Sequence, residues 1–179
     1  MKYSITPTCI SFIGISDFKK DFIGKLFAQY INWAYLNTNH IIEAYYGMAI
    51  KDIIYNNKNE SFLTIESNII SSLNIKRTII FTGNTCSYKM ETMQYLQHIG
   101  PVVYIYTPFL KILPYLNQLK RKDMLISPSI TTNNFEAFFY ERDTLYSYWS
   151  THIINDNQPI QKIINILLNL FYNSQVKTN

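Results

Sequence analysis

Residues 14–24 read GISDFKKDFIG, with CISFI (9–13) before them and KLFAQYINW (25–33) after. The first flank is a short, unbroken apolar run of strand length. The second flank places apolar side chains at helical spacing, with Ile23, Leu26, Phe27, Tyr30 and Ile31 on one face of a helix expected over 20–32. A strand that turns into a helix is the opening unit of an α/β chain, and that turn is where a phosphate-binding loop belongs. Such a loop has the form G-x-x-x-x-G-K-[ST]. Its backbone N–H groups cradle phosphates, its lysine reaches the terminal phosphate oxygens, and its hydroxyl holds magnesium. Here Gly14 fits the first position and Lys20 the lysine. Lys19 stands in place of the second glycine, Asp17 in place of another, and Asp21 in place of the hydroxyl.

The alternation continues along the chain. Strands are expected at 9–15, 34–36, 78–81, 102–106 and 152–154. Helical patterns separate them: from 40 to 54 with a break near Gly47, and then over 61–73, 88–98, 108–120, 134–149 and 159–171. Pro114 lies inside the 108–120 pattern and predicts a kink or an early end there. Strands alternating with helices in this way imply one parallel sheet covered on both faces, a three-layer α/β/α sandwich. Ligands of such sheets bind at the carboxyl ends of the strands, which here are 14–21, 37–39, 82–86 and the polar 120s.

A length of 179 residues suits a single domain over 1–179, and 47% hydrophobic residues suffice for a real core. With 5 Gly and 6 Pro, low-complexity disorder is excluded. A net charge of +4 is too small to argue for nucleic acid. No apolar stretch approaches the ~18 residues of a membrane span, and MKYSITPTCISF has no secretory core, so the expectation is a cytoplasmic protein with no membrane partner. Cys9 and Cys86 lie far apart with no metal spacing and read as buried free thiols. His40, His98 and His152 fall in separate segments. Trp33, Trp149 and Phe138-Phe139-Tyr140 read as packing residues, with Tyr146, Tyr148 and Trp149 alternatively lining a partner surface.

Several pieces, in this order and spacing, resemble the shikimate kinases, small P-loop kinases of the nucleoside-monophosphate-kinase type. They are GMAIKDII (47–54), the F-x-x-x-E of Phe62 to Glu66, the Thr82-Gly83 pair, GPVVYI (100–105) and ERDTLY (141–146), together with glycines at 14, 24, 47, 83 and 100. The resemblance spans residues 9 to 171. It implies five parallel strands in order 2-3-1-4-5, a shikimate-binding subdomain about 38–70 and a lid-like loop about 120–133. It also implies transfer of the ATP γ-phosphate to the 3-hydroxyl of shikimate, with magnesium.

Against that family pattern, the residues that build the sheet agree and those that touch ligands mostly differ. Side chains at 17 and 19 fill space a phosphate needs, and Asp17 adds negative charge beside it. Gly14, Lys19 and Lys20 are candidate nucleotide contacts, and for Lys20 two readings stand: a phosphate contact, or a solvated lysine at a helix start. Asp17 and Asp21 read as cap and first-turn acids, and Asp21 alternatively as a magnesium ligand. The family's Asp-x-Asp after the second strand is Asn37-Thr38-Asn39. Asn39 can hydrogen-bond a hydroxyl but cannot take its proton. The arginine of the family's F-R-x-x-E is Leu63, and Glu66 without it reads as helix surface. The family's T-G-G-G is Thr82-Gly83-Asn84-Thr85, which retains Gly83 for substrate. Arg142 holds the place of an arginine that binds the shikimate carboxylate, or forms an ion pair with Asp143 or Glu141. Arg121 and Lys122 in the lid-like loop are candidate phosphate contacts.

The reading that follows is a shikimate-kinase-like protein whose catalysis is lost, kept for an interaction, regulatory or relict role. The alternatives are a divergent but active ATP-dependent kinase acting on shikimate, and an unrelated α/β protein. No cofactor is assigned, and ATP with magnesium belongs to the active reading. A protein partner and a small-molecule or anionic ligand fit either, without nucleic acid, in a monomer or weak oligomer.

Overall fold

The computed structural model describes residues 8–56, 61–117 and 132–176. Five strands form one sheet: β1 (Cys9–Ile13), β2 (Ala34–Asn37), β3 (Thr78–Phe81), β4 (Val102–Tyr106) and β5 (His152–Asn155). Their order is β2-β3-β1-β4-β5, and every pairing is parallel. The helices are α1 (Asp17–Tyr30), α2 (Thr38–Tyr46), α3 (Ile50–Asn56), α4 (Phe62–Ser72), α5 (Met90–Ile99), α6 (Phe109–Ile112), α7 (Thr132–Trp149) and α8 (Ile160–Val176). Pro114 acts as expected: α6 stops at Ile112 and a short 3₁₀ turn (Leu113–Tyr115) follows.

The side-chain alternation of the strands divides the core into two layers. Ile10, Phe12, Ile79, Val103 and Ile105 meet Ile23 and Phe27 of α1 and Ile163, Ile164 and Leu167 of α8. Cys9, Ile13, Ile80, Val102 and Tyr104 face the other way, onto Met93 and Leu96 of α5 and Phe135, Phe139 and Tyr146 of α7. Each fully buried Ile or Phe contributes about 1.5–3 kcal/mol. A third, smaller cluster of Ile42, Ile53 and Ile65 joins α2, α3 and α4.

Three expectations need correction. The first helix starts at Asp17 rather than residue 20, because no glycine interrupts 15–23 and Lys20 N already donates to Ser16 O at 3.0 Å. Tyr30 does not join the apolar face of α1 and is 52% exposed, being the last residue of the helix. Tyr146 is fully buried against Tyr104 and cannot line a partner surface, whereas Tyr148 is exposed. Among the described residues no helix is long and apolar enough to cross a membrane.

Candidate functional site

The carboxyl ends of β1, β3 and β2 bring the loop residues together. β1 ends at Ile13, and Gly14 turns with φ +140° so close to β4 that a Cβ would lie 2.5 Å from Ile105 O. A side chain there would be strained in φ and would collide with strand backbone, so this glycine is required with or without a nucleotide. Gly14, Ile15 and Ser16 form the whole connection, and Ile15 is buried. Ser16 takes the N-cap position of α1 without a side-chain capping bond. The segment 17–19, which a phosphate loop would keep open, is wound into the first turn of α1.

Lys20 is the central residue here, and of its two readings the solvated lysine is overturned. Its side chain is completely buried. The reason is helical phase: Lys20 shares the core-facing stripe of α1 with Ile23, Gly24, Phe27 and Ala28. A cation on that stripe needs partners. Nζ donates to Gly14 O at 2.8 Å, Thr82 O at 2.8 Å and Asn84 Oδ1 at 3.2 Å. It also lies 3.6 Å from an Asp17 carboxylate oxygen and 4.5 Å over the Phe81 ring. Burial lowers the Lys20 pKa, and Asp17 opposes the shift. Three acceptors call for three N–H donors, which the ammonium has and the neutral amine lacks.

The two acids of α1 separate. Asp17 is in the first turn, as expected, beside Lys20. Asp21 is not a first-turn acid once α1 begins at 17. It sits one turn further on, where Lys25 Nζ and the Tyr35 hydroxyl each donate to one of its oxygens at 2.7 Å. Lys19 leans the other way, donating to Asp156 O at 3.1 Å and lying 3.8 Å from that carboxylate. Asp156 is itself buried and accepts from the Thr107 hydroxyl, tying the ends of β4 and β5 together.

On the acceptor side Asn37 caps α2, its Oδ1 accepting from Asn39 N at 2.9 Å. Buried Thr38 accepts from Gly83 N at 3.3 Å. A Cβ on Gly83 would lie 2.7 Å from both Asn39 Oδ1 and Glu66 Oε1, so amide and carboxylate oxygens converge on this glycine from α2 and α4. Glu66 is not helix surface: it is 1% exposed and accepts from the Thr85 hydroxyl at 2.5 Å. Phase again explains it, because Glu66 lies four residues before buried Ile70. Asn84 is held from its other end by the Tyr146 hydroxyl, which donates to Asn84 O at 2.8 Å. Arg142 of α7 is fully buried, with Cζ 4.4 Å over the Phe138 ring and 5.6 Å from that of Tyr88. Glu141 accepts from the Tyr88 hydroxyl and Asp143 from that of Tyr104. Cys86 lies between these charges, and burial together with Glu66 pushes its thiol up to about 12.

The structure therefore brings Gly14, Lys20, Asn39, Gly83 and Glu66 to one end of the sheet, and turns Lys19 and Asp21 to partners on opposite sides of α1. Arg121 and Lys122, with most of the lid-like stretch 120–133, lie outside the described residues. Asn84 and Thr85 are noticed in the sequence as lost glycines, yet their task of holding Lys20 and Glu66 is not. The available signal is that both replacements are hydrogen-bonding residues. Asp156 is missed as well, although an acid directly after the last strand is the kind of residue that closes a strand-end loop. Among the described residues no group of three His, Cys, Asp or Glu is placed to share a metal ion.

A parallel five-stranded sheet in this order, with a lysine at the first strand-to-helix turn, defines the P-loop kinase class of α/β proteins. The shikimate kinase profile matches residues 19–171, and the chain belongs to that family. Shikimate kinase of Bacillus cytotoxicus is 29% identical over 152 residues, covering 83% of this chain and 89% of the relative. Shikimate kinase 2 of Photorhabdus laumondii is 24% identical over 168 residues, covering 92% and 95%. Among solved structures, shikimate kinase from Acinetobacter baumannii in complex with shikimate superposes with a TM-score of 0.78 at 22% identity, covering 94% of each chain. That from Aquifex aeolicus gives 0.74 at 20% identity, covering 96% of this chain and 99% of the other.

Proposed function

We propose that this chain retains the shikimate kinase fold without phosphate transfer, and serves in a binding or regulatory capacity. The observation that carries the reading is the Lys20 ammonium. Its three donors are taken by Gly14, Thr82 and Asn84, at zero exposure, in the place where a kinase lysine would meet phosphate. The neighbouring groups support it. Asp21, in the position of the magnesium hydroxyl, has both oxygens committed to Lys25 and Tyr35. Asp17 puts a carboxylate beside the lysine rather than leaving the field positive. These residues do not fit a magnesium-bound triphosphate as they stand. Asn39 occupies the place of a general base and has no basic site near neutral pH. Leu63 offers no charge to a substrate carboxylate.

A second reading, an active kinase using ATP on shikimate, draws on family membership across 19–171 and on the retained Lys20. Thermal unfolding of the full chain with MgATP, ADP and shikimate, paired with an ADP-release assay, separates the two. A ligand at 100 times its Kd adds about 2.7 kcal/mol of stability. The expected result is no MgATP-dependent turnover. ADP release that requires shikimate and disappears in Lys20→Ala would overturn the non-catalytic reading.

A further inference from the structure

Two side chains of the loop after β3 stand on two buried charges. Asn84 Oδ1 accepts from Lys20 Nζ at 3.2 Å, and the Thr85 hydroxyl donates to Glu66 at 2.5 Å. Both loop residues are nearly inaccessible, at 7% and 5% exposure, and both charges lie on core-facing helical stripes. The loop is anchored independently of these contacts. Tyr146 donates to Asn84 O at 2.8 Å, Thr38 accepts from Gly83 N, and the Thr82 hydroxyl donates to Phe12 O at 3.0 Å. It is therefore held in place whether or not its side chains engage the charges.

We propose that Asn84 is an autoinhibitory internal ligand, a carboxamide that occupies Lys20 and excludes small oxyanions of the phosphate class from it. This rests on the non-catalytic reading of the site and deepens it. An anion approaching Lys20 competes with a group already tethered at hydrogen-bond distance, and a tethered group acts at a high effective concentration. It also meets the Asp17 carboxylate 3.6 Å from Nζ. Of the three Lys20 contacts, those to Gly14 O and Thr82 O are backbone and cannot be removed by side-chain change. Asn84 is the side-chain hydrogen-bond acceptor among them, so its share of the exclusion can be removed by substitution. Thr85 engages Glu66 in the same manner, its hydroxyl donating to one carboxylate oxygen.

The test compares the full chain with its Asn84→Ala and Asn84→Gly variants. Ala removes the carboxamide while leaving a side-chain carbon in place, so the test does not depend on the more disruptive Gly. Two readouts are used: the rate of Lys20 acetylation by acetic anhydride, followed by peptide mass spectrometry, and the rise of Tm with inorganic pyrophosphate at constant ionic strength. In the unmodified chain Lys20 is expected to be protected and pyrophosphate to have no effect beyond that of matched chloride. In Asn84→Ala the acetylation rate should rise about tenfold, the equivalent of one hydrogen bond to a charged group. Pyrophosphate should then raise Tm saturably and restore protection, and Lys20→Met in the same background should remove the Tm response. An unchanged acetylation rate in a folded Asn84→Ala protein would overturn the proposal. So would a pyrophosphate response as large in the unmodified chain as in the variant. Failure of the non-catalytic reading is seen separately, as ADP release by the unmodified chain.

Discussion

Lys20 Nζ has three N–H donors and meets three acceptors inside the protein. Its substitution is accordingly a test of structure rather than of surface charge. Lys20→Met leaves Gly14 O, Thr82 O and Asn84 Oδ1 without their donor, and should cost about 2–4 kcal/mol in urea unfolding, since each unsatisfied buried acceptor costs about 1–3 kcal/mol and water recovers part of it. A solvated lysine would change stability by less than about 0.5 kcal/mol, and a value that small would show the pin to be absent. The identity of this residue is legible in the sequence, and so is its phase, one turn before Ile23 and Gly24 on the stripe that continues to Phe27 and Ala28. Its partners are not legible, because Thr82 and Asn84 are more than sixty positions away and arrive only when β3 pairs with β1.

Among the elements, α1 is bound to the sheet from both ends of its first two turns. Lys19 reaches the loop after β5, and Asp21 takes the Tyr35 hydroxyl of β2 together with Lys25 of its own helix. Burial works to raise the Asp21 carboxyl, and the hydrogen bonds from Lys25 and Tyr35 overcome it and hold it below the usual carboxylate range. A folded pKa below the unfolded one means stability that is present above the unfolded value of about 3.9 and lost as pH falls through the folded value. Asp21→Asn should therefore cost about 0.5–1 kcal/mol at pH 7, with the gap to the unmodified chain closing below about pH 4. Denaturant titrations at pH 7 and pH 3 measure both limits. A gap that persists undiminished at pH 3 would mean the carboxylate charge is not the stabilising feature. The bounds of most elements follow from apolar period and turn residues. The start of α1 is less direct, because the apolar period begins only near residue 20 and the lack of glycine in 15–23 permits a helical turn without requiring it.

At the scale of the molecule, the sheet buries both thiols. Cys9 and Cys86 are each fully inaccessible, Cys9 raised by burial and Cys86 pushed up to about 12 by burial and Glu66. Neither should react with a disulfide reagent at pH 8 in the native protein, and the rate should follow unfolding as denaturant is raised, since a buried thiol must be exposed before its thiolate can attack. Cys86 reacting at the rate of an unfolded peptide would show that the site end of the sheet opens locally. The amino-acid sequence by itself determined the alternation of five strands with helices, the parallel sheet, the turn at Gly14 and the presence of amides, not carboxylates, at 37 and 39. These are local matters of period, φ and residue chemistry. Only the tertiary structure decided that Lys20 and Glu66 are buried and that Asn84 and Thr85 hold them. The pairing of a buried charge depends on which distant strand ends the sheet places beside it, and no short window of sequence contains that distance.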